Sequence, residues 1–479
     1  VPESRHLAAL RSAAESEEWD RTVELLEEHW PRLVHVRRAE LLAILDRIPE
    51  SVLDERPRWI RARDFVRSRS SAAPDADEDP CGIPALTSRI VELRRAGRAA
   101  EALPLVAQCR TLADATPQGE ATTAGGRSER LFQWARALED VGATSDAIDL
   151  YEAAARATEC APSAGRMRSL AGGAAALLAA LHGERARAQR SLDEFCGGAE
   201  QPLGGGASAA LAEALLRFDV LDREGARRLV DGIDPTTIRH RWAHYFHVRA
   251  IVEWEQRPRV LRAELDTQLR ARPLSTLSEI DAGSVRITRY LLHAAAARPG
   301  RAIDALGSGT SISTILDHFT AALRAFVLTR EGRAADARHL LAPLRAIRLA
   351  PRAELLVLVV GPDRSPDDLE RIAALASEHG LYWLLTVLPE HDRATVSGLL
   401  ARREPRVAPA GALEPTPALA PPLLTAREQE VAQRAALGGS TADIASALHV
   451  SPNTVKTQLR SVYRKLGVTT RSELFAALY

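Results

Sequence analysis

Through the first 400 positions, apolar residues recur with helical spacing and short polar turns separate the runs. Within this pattern a phrase repeats: a helix, a turn carrying a small or polar residue, then a second helix with alanine near its start. Gly97 followed by Ala102, Gly142 by Ala147, Gly183 by Ala188 and Gly332 by Ala337 are four copies, the alanine always five positions after the glycine. Glycine permits the tight turn, and alanine lets the second helix lie close against the first.

The first three glycines are 45 and 41 residues apart, a period that predicts two-helix units stacked into a solenoid. Each unit would bury its apolar stripe on its neighbours, giving a linear core. These copies resemble tetratricopeptide repeats, though longer and degenerate. An irregular helical bundle is the alternative arrangement.

Stretches rich in Ser, Pro, Gly, Thr or Asp at 70–84, 117–127 and 196–208 read as loops. Between Arg402 and Pro422 lie Pro405, Pro409, Pro415, Pro417, Pro421 and Pro422. Such a segment is extended and semi-rigid, reaching at most about 65 Å. The expected organisation is therefore a TPR-like α-helical repeat domain at 1–401, a proline-rich linker at 402–423 and a small helical domain at 424–479.

In that last domain the helix signals are dense. Thr425-Ala-Arg-Glu428 is a capping box, and Gly438-Gly439 stops the helix it opens. Ser440-Thr-Ala-Asp443 opens a second helix, ended by His449-Val450. Ser451 is an N-cap with Pro452 at the first helical position, and the third helix runs to Leu466 ahead of Gly467. Thr470-Arg-Ser-Glu473 caps a fourth. At about 100° per residue, Val455, Leu459, Val462 and Leu466 fall on one narrow stripe of the third helix. Lys456, Arg460, Asn453, Arg464 and Thr457 lie on the opposite face, which carries no carboxylate. A solvated face normally mixes signs; this one fits a nucleic-acid major groove.

Composition agrees. A chain of 479 residues is long enough for two to four domains. Its 46% hydrophobic content includes only 4% aromatics, so Ala and Leu must do the packing, which suits helices. The net charge is zero, and 61 of the 63 basic residues are arginine; lysine occurs only at 456 and 465. Residues 451–479 carry five cations against Glu473 alone, so a polyanionic partner is expected for that end of the chain.

Cys81, Cys109, Cys160 and Cys196 are far apart, which argues against a disulfide framework or a Cys-rich zinc site. No basic-then-apolar leader opens the sequence, and the longest apolar run, Ala171–Leu181, is too short to span a bilayer. A cytoplasmic protein with no membrane partner is expected. His240, His244 and His247 share a helix face; lining of a cavity or groove is the favoured reading over a metal site. Neither a Gly-x-Ser-x-Gly elbow, a Gly-rich dinucleotide turn nor a kinase set is present, so neither enzymatic activity nor a cofactor is expected.

Leu424-Thr-Ala-Arg-Glu-Gln-Glu-Val431, Ser440-Thr-Ala-Asp-Ile-Ala445, Ser451-Pro-Asn-Thr-Val-Lys-Thr-Gln458 and Arg464-Lys-Leu-Gly-Val468, in that order, closely resemble the LuxR-type helix-turn-helix DNA-binding domain of bacterial regulators. The resemblance implies base contacts from Lys456, Thr457 and Arg460, and phosphate contacts from Ser451, Asn453, Thr454, Gln458 and Arg464. It also implies double-stranded DNA and RNA polymerase as partners, and a homodimer formed through the fourth helix.

Glu17-Glu-Trp-Asp-Arg-Thr-Val23 and Leu45–Pro57 are similar to the helical sensor region of the large ATP-binding, MalT-like LuxR regulators, which implies a small-molecule or protein effector for the repeats. A Walker loop needs a lysine on the phosphates, and none precedes Lys456, so the nucleotide module of that group is absent from this sequence. Either a shortened relative or a fragment satisfies that observation. The expectation is an all-α, sequence-specific transcription regulator. Its rival is a TPR-like interaction scaffold carrying a degenerate helix-turn-helix.

Overall fold

A computed structural model describes residues 2–33, 38–54, 59, 63, 66, 82–115, 127–157, 164–197, 206–235, 238, 241–254, 256–272, 277–296, 298–309, 311–403, 424–466 and 468–478. Among the described residues every regular element is helical and no strand occurs, as the Ala- and Leu-rich composition predicts. The chain divides into two compact units. Most of the expected linker, 404–423, lies outside the described residues, as do most of the expected loops at 70–84, 117–127 and 196–208.

The first unit is built from residues 1–85, 112–127 and 159–161. Helices α1 (Pro2–Glu15), α2 (Trp19–Leu33), α3 (Arg38–Leu45) and α4 (Glu50–Asp54) enclose a core of Leu10, Leu26, Leu41, Leu45 and Trp59, each at most 1% exposed.

In the second unit, helices alternate between two roles. The inner members are α5 (Arg127–Asp140), α6 (Ala164–His182), α7 (Gly206–Asp219), α8 (Trp242–Glu253), α9 (Glu279–Ala295), α10 (Ile315–Arg330) and α11 (Pro351–Val360). From α6 onward each packs on the next inner helix and pairs with the helix that follows it in sequence, which is how helical repeats stack. Those followers include α12 (Thr144–Arg156), α13 (Arg185–Phe195), α14 (Arg223–Asp231), α15 (Pro258–Ala271), α16 (Pro299–Leu306), α17 (Ala334–Arg345) and α18 (Pro366–His379).

The glycine phrase marks the inner-to-outer turn. Gly97, Gly142, Gly183 and Gly332 all have positive φ, between 74° and 81°. In each, the glycine N–H donates to the carbonyl three residues back and the next N–H donates to the carbonyl five back, closing the helix in a left-handed cap. The alanines five positions on, Ala102, Ala147, Ala188 and Ala337, are fully buried.

Two further copies carry no glycine. Leu221 adopts φ 70° with the same pair of hydrogen bonds, and Ala226 is fully buried; in the first unit Glu17 adopts φ 60°, with Thr22 fully buried. A left-handed non-glycine residue is strained by roughly 1 kcal/mol or more, so packing of the following helix holds it there.

Helix α6 is the most enclosed element. Ala171 and Ala174–Ala180 are at most 1% exposed, and a Cβ added at Gly172 would stand 2.2 Å from Phe195 Cβ on α13. Helix α11, more than 130 residues later, returns to touch α6. Arg352 at its start donates to both carboxylate oxygens of Asp219 (2.7 and 2.5 Å) and to the carbonyls of Ala180 and Leu181 (2.8 and 3.1 Å). The guanidinium thus caps the Leu181 carbonyl at the end of α6, adds a second donor to the Ala180 carbonyl that Gly183 N–H already bonds, and neutralises a buried carboxylate.

The histidine expectation needs a correction. His244 and His247 on α8 are 1% and 2% exposed, inside the core and not on a groove wall, because α8 is covered on every face. Burial pushes His247 down to about 4, which keeps it neutral. His240 lies outside the described residues. No group of three potential metal ligands occurs among the described residues, and no described helix is long and apolar enough to cross a membrane. Cys109 and Cys196 are buried and in no disulfide; Cys81 and Cys160 lie outside the described residues.

Candidate nucleic-acid interface

The last 55 residues form four helices: α19 (Ala426–Ala436), α20 (Thr441–Ala447), α21 (Pro452–Leu466) and α22 (Arg471–Leu478). Each begins at its predicted cap. Thr425 Oγ1 accepts the Glu428 N–H at 3.2 Å while Glu428 accepts the Thr425 N–H at 2.8 Å; Ser440 with Asp443 and Thr470 with Glu473 form the same reciprocal pairs. Ser451 Oγ accepts the Thr454 N–H at 3.0 Å ahead of Pro452. Gly438 stops α19 at φ 92°, and His449, at φ 53°, closes α20 with the cap geometry of the repeat turns.

These caps fix the register of α21 against its neighbours. Val455 and Val462 are fully buried, Leu466 is 2% exposed and Leu459 8%, packed with Leu424, Val431, Ile444, Leu448 and Leu474. The predicted inward stripe is the observed one. The opposite face holds Asn453, Lys456, Thr457 and Arg460, all exposed. Neither Lys456 nor Arg460 makes an ion pair among the described residues. A face of unpaired cations is what a phosphate-lined groove selects, since each phosphate neutralised releases counterions.

Not every residue on the predicted list is equally available. The Thr457 hydroxyl donates to the Asn453 carbonyl at 3.0 Å, along its own helix. Ser451 and Thr454 share their hydroxyls at 2.8 Å while capping α21, so the two form one unit at the helix start. Gln458 is half-buried, and its Oε1 is shielded from solvent without a hydrogen-bond partner. The Arg464 side chain lies outside the described residues.

One residue in this domain does more than sequence reasoning assigned to it. Glu428 reads as a cap, yet its side chain also accepts from Ser461 Oγ at 2.7 Å and Lys465 Nζ at 2.6 Å, both on α21. Burial pushes this carboxyl up, but hydrogen bonds from Lys465, Thr425 and Ser461 outweigh that and bring it down to about 2. Lys465, counted by sequence only in the positive charge of residues 451–479, is therefore engaged inside the domain. The i, i+4 spacing of Ser461 and Lys465 was the available signal. Arg427 adds a second tie, donating to the Leu448 carbonyl at the end of α20.

Residues 422–477 match the family model of bacterial regulatory proteins, luxR family. Over 67 residues, 14% of this chain, the sequence is 45% identical to the probable transcriptional regulatory protein NarL of Mycobacterium tuberculosis, in both strain CDC 1551 / Oshkosh and strain ATCC 25618 / H37Rv. That match spans 31% of the length of those relatives. No solved structure matches the chain. The C-terminal domain is thus a LuxR-family helix-turn-helix, a DNA-binding domain of transcription regulators.

Proposed function

We propose that the whole protein is a sequence-specific transcription regulator that lays α21 in the major groove of double-stranded DNA, while its helical repeats receive an effector. The observation that carries this is the one-sided α21, with aliphatic residues at one pole and unpaired Lys456 and Arg460 at the other. Lys456, Thr457 and Arg460 read base edges. Ser451, Asn453, Thr454, Gln458 and Arg464 hold the phosphates and so set the register. Helix α22, on which Phe475 is 48% exposed, pairs two copies so that each reads one half-site. RNA polymerase is the partner through which such a complex alters transcription.

The effector assignment rests on a groove of about 1050 Å³ in the repeats, bordered by His182, Glu184, Arg348, Glu354, Arg371 and His379. Its volume suits a small molecule or a peptide segment. Kinship of the repeats to the sensor region of the large MalT-like regulators belongs to the same proposal. Genome-wide capture of bound fragments tests the central claim. A shared palindromic motif that is lost in Arg460→Ala supports it; fragments without a common motif reject it.

A further inference from the structure

Away from the groove, the turn between α9 and α16 gathers charge of one sign, on a helix (α16) that also packs against α22 of the DNA-binding domain. Helix α15 contributes Arg259 and Arg262, α9 contributes Arg289 and His293, and Arg298 and Arg301 stand at the start of α16. Elsewhere several largely buried arginines face a carboxylate, as Arg352 faces Asp219, Arg241 faces Glu139 and Arg94 faces Asp140. Here Arg259, Arg262, Arg289 and Arg298 make no side-chain hydrogen bond or ion pair among the described residues.

Three of the nitrogens involved are also shielded from water. Arg262 Nη1, Arg289 Nε and His293 Nδ1 are each buried without a hydrogen-bond partner, and His293 as a residue is only 8% exposed. Buried polar atoms are nearly always satisfied, so the two unmet guanidinium donors call for an acceptor. The electrostatics agree. Burial first, and then Arg262, Arg289, Arg298 and Arg301, push His293 down to about 4. Burial, Arg262, Arg259 and Arg301 lower Arg298, and no carboxylate acts on it.

The backbone at this turn presents donors too. Helix α16 has no side-chain cap and no acidic residue in its first turn, and Pro299 holds its first position. Its first N–H groups therefore lack an intrahelical acceptor, and no acidic side chain of the helix itself offsets its positive end. A Cβ built at Gly300 meets nothing within 4 Å, so there is room in front of them.

We propose that this cluster binds a small phosphate-bearing anion, held by the guanidinium groups of Arg262, Arg289 and Arg298 and by the N-terminal amides of α16. Guanidinium forks match the phosphate oxygens two at a time, and an open helix N-terminus completes the set. A compact ligand fits better than a polymer backbone, because several of the orphaned nitrogens lie below the surface. Bound there, the anion would tie α9, α15 and α16 together and stiffen this stretch of the repeat array.

The test is calorimetric titration of inorganic pyrophosphate into the full chain at constant ionic strength. Saturable binding is expected, at least about tenfold weaker in Arg262→Gln and Arg298→Gln, as loss of a charged hydrogen bond implies. Arg228→Gln, which removes an exposed arginine paired with Glu224 on α14, should bind as the parent does. The ligand-free Arg262→Gln protein should melt no lower than the parent, since like charges are being removed; a lower melting point would overturn the claim that these charges are uncompensated. Absence of saturable heat, or equal affinity in all three variants, sinks the proposal. So does a result in which the cluster variants lose affinity for a non-cognate DNA duplex but never bind pyrophosphate. Operator binding is measured separately, so failure here leaves the DNA-binding reading untouched.

Discussion

Lys465 Nζ stands 2.6 Å from Glu428 Oε2, so the helix that faces DNA is fastened to the first helix of its own domain by a largely buried ion pair. The same carboxylate caps α19 and holds Ser461. One side chain therefore sets both where α19 begins and how α21 is rotated.

Replacing Glu428 with Ala should destabilise the C-terminal domain by roughly 2–3 kcal/mol, through loss of a helix cap and of charge-assisted hydrogen bonds to Lys465 and Ser461. Because the folded-state pKa is about 2, below the ordinary glutamate value, this carboxylate stabilises the domain fully at neutral pH. Its contribution, on the order of 2–3 kcal/mol, is lost as pH falls from about 4 towards 2. Chemical denaturation of the domain across that range checks this; a Glu428→Gln protein with an unchanged acid limb would refute it.

Arg460→Ala and Lys456→Ala should each weaken binding to the cognate site by about 1–3 kcal/mol and relax specificity there. Both side chains are exposed, so the melting temperature should not move. Mobility shifts across a salt series provide the second reading: the slope of log K against log salt should be negative. Parental affinity in both variants would mean that α21 does not dock by this face.

Asp219→Ala should cost about 3–5 kcal/mol by stranding the Arg352 guanidinium in the core. Replacing both residues with aliphatic side chains of similar size should recover much of that loss, leaving a deficit from the uncapped carbonyl of Leu181. Urea melts of the two single variants and the double variant form the cycle that separates the terms.

Glycine substitutions should rank by what surrounds each turn. At Gly97 an added Cβ meets nothing, so Gly97→Ala pays only for the left-handed backbone, about 1–2 kcal/mol. At Gly183 the same atom would stand 2.8 Å from the Arg352 backbone nitrogen, which cannot swing away, and the loss should be larger. Leu221→Gly should recover up to about 1 kcal/mol of strain, less whatever its half-buried side chain contributes. Thermal melts of the three proteins decide the order.

The sequence alone determined the helical class, the glycine-to-alanine turn of the repeats and the whole helix schedule of the C-terminal domain. Those features are local: caps, a left-handed turn and an amphipathic stripe each depend on residues within one or two helical turns. It also located the face that carries Asn453, Lys456, Thr457 and Arg460. It missed the copies at Glu17 and Leu221, because there packing, not residue type, enforces positive φ. It read His244 and His247 as groove-lining when α8 is enclosed on all sides. Only the tertiary structure decided that Lys465 belongs to Glu428, that Arg352 closes on Asp219 across 133 positions, and that Arg262, Arg289 and Arg298 gather around His293. Charge pairing depends on distances between elements far apart in the chain, and nothing in the local pattern of either element encodes them.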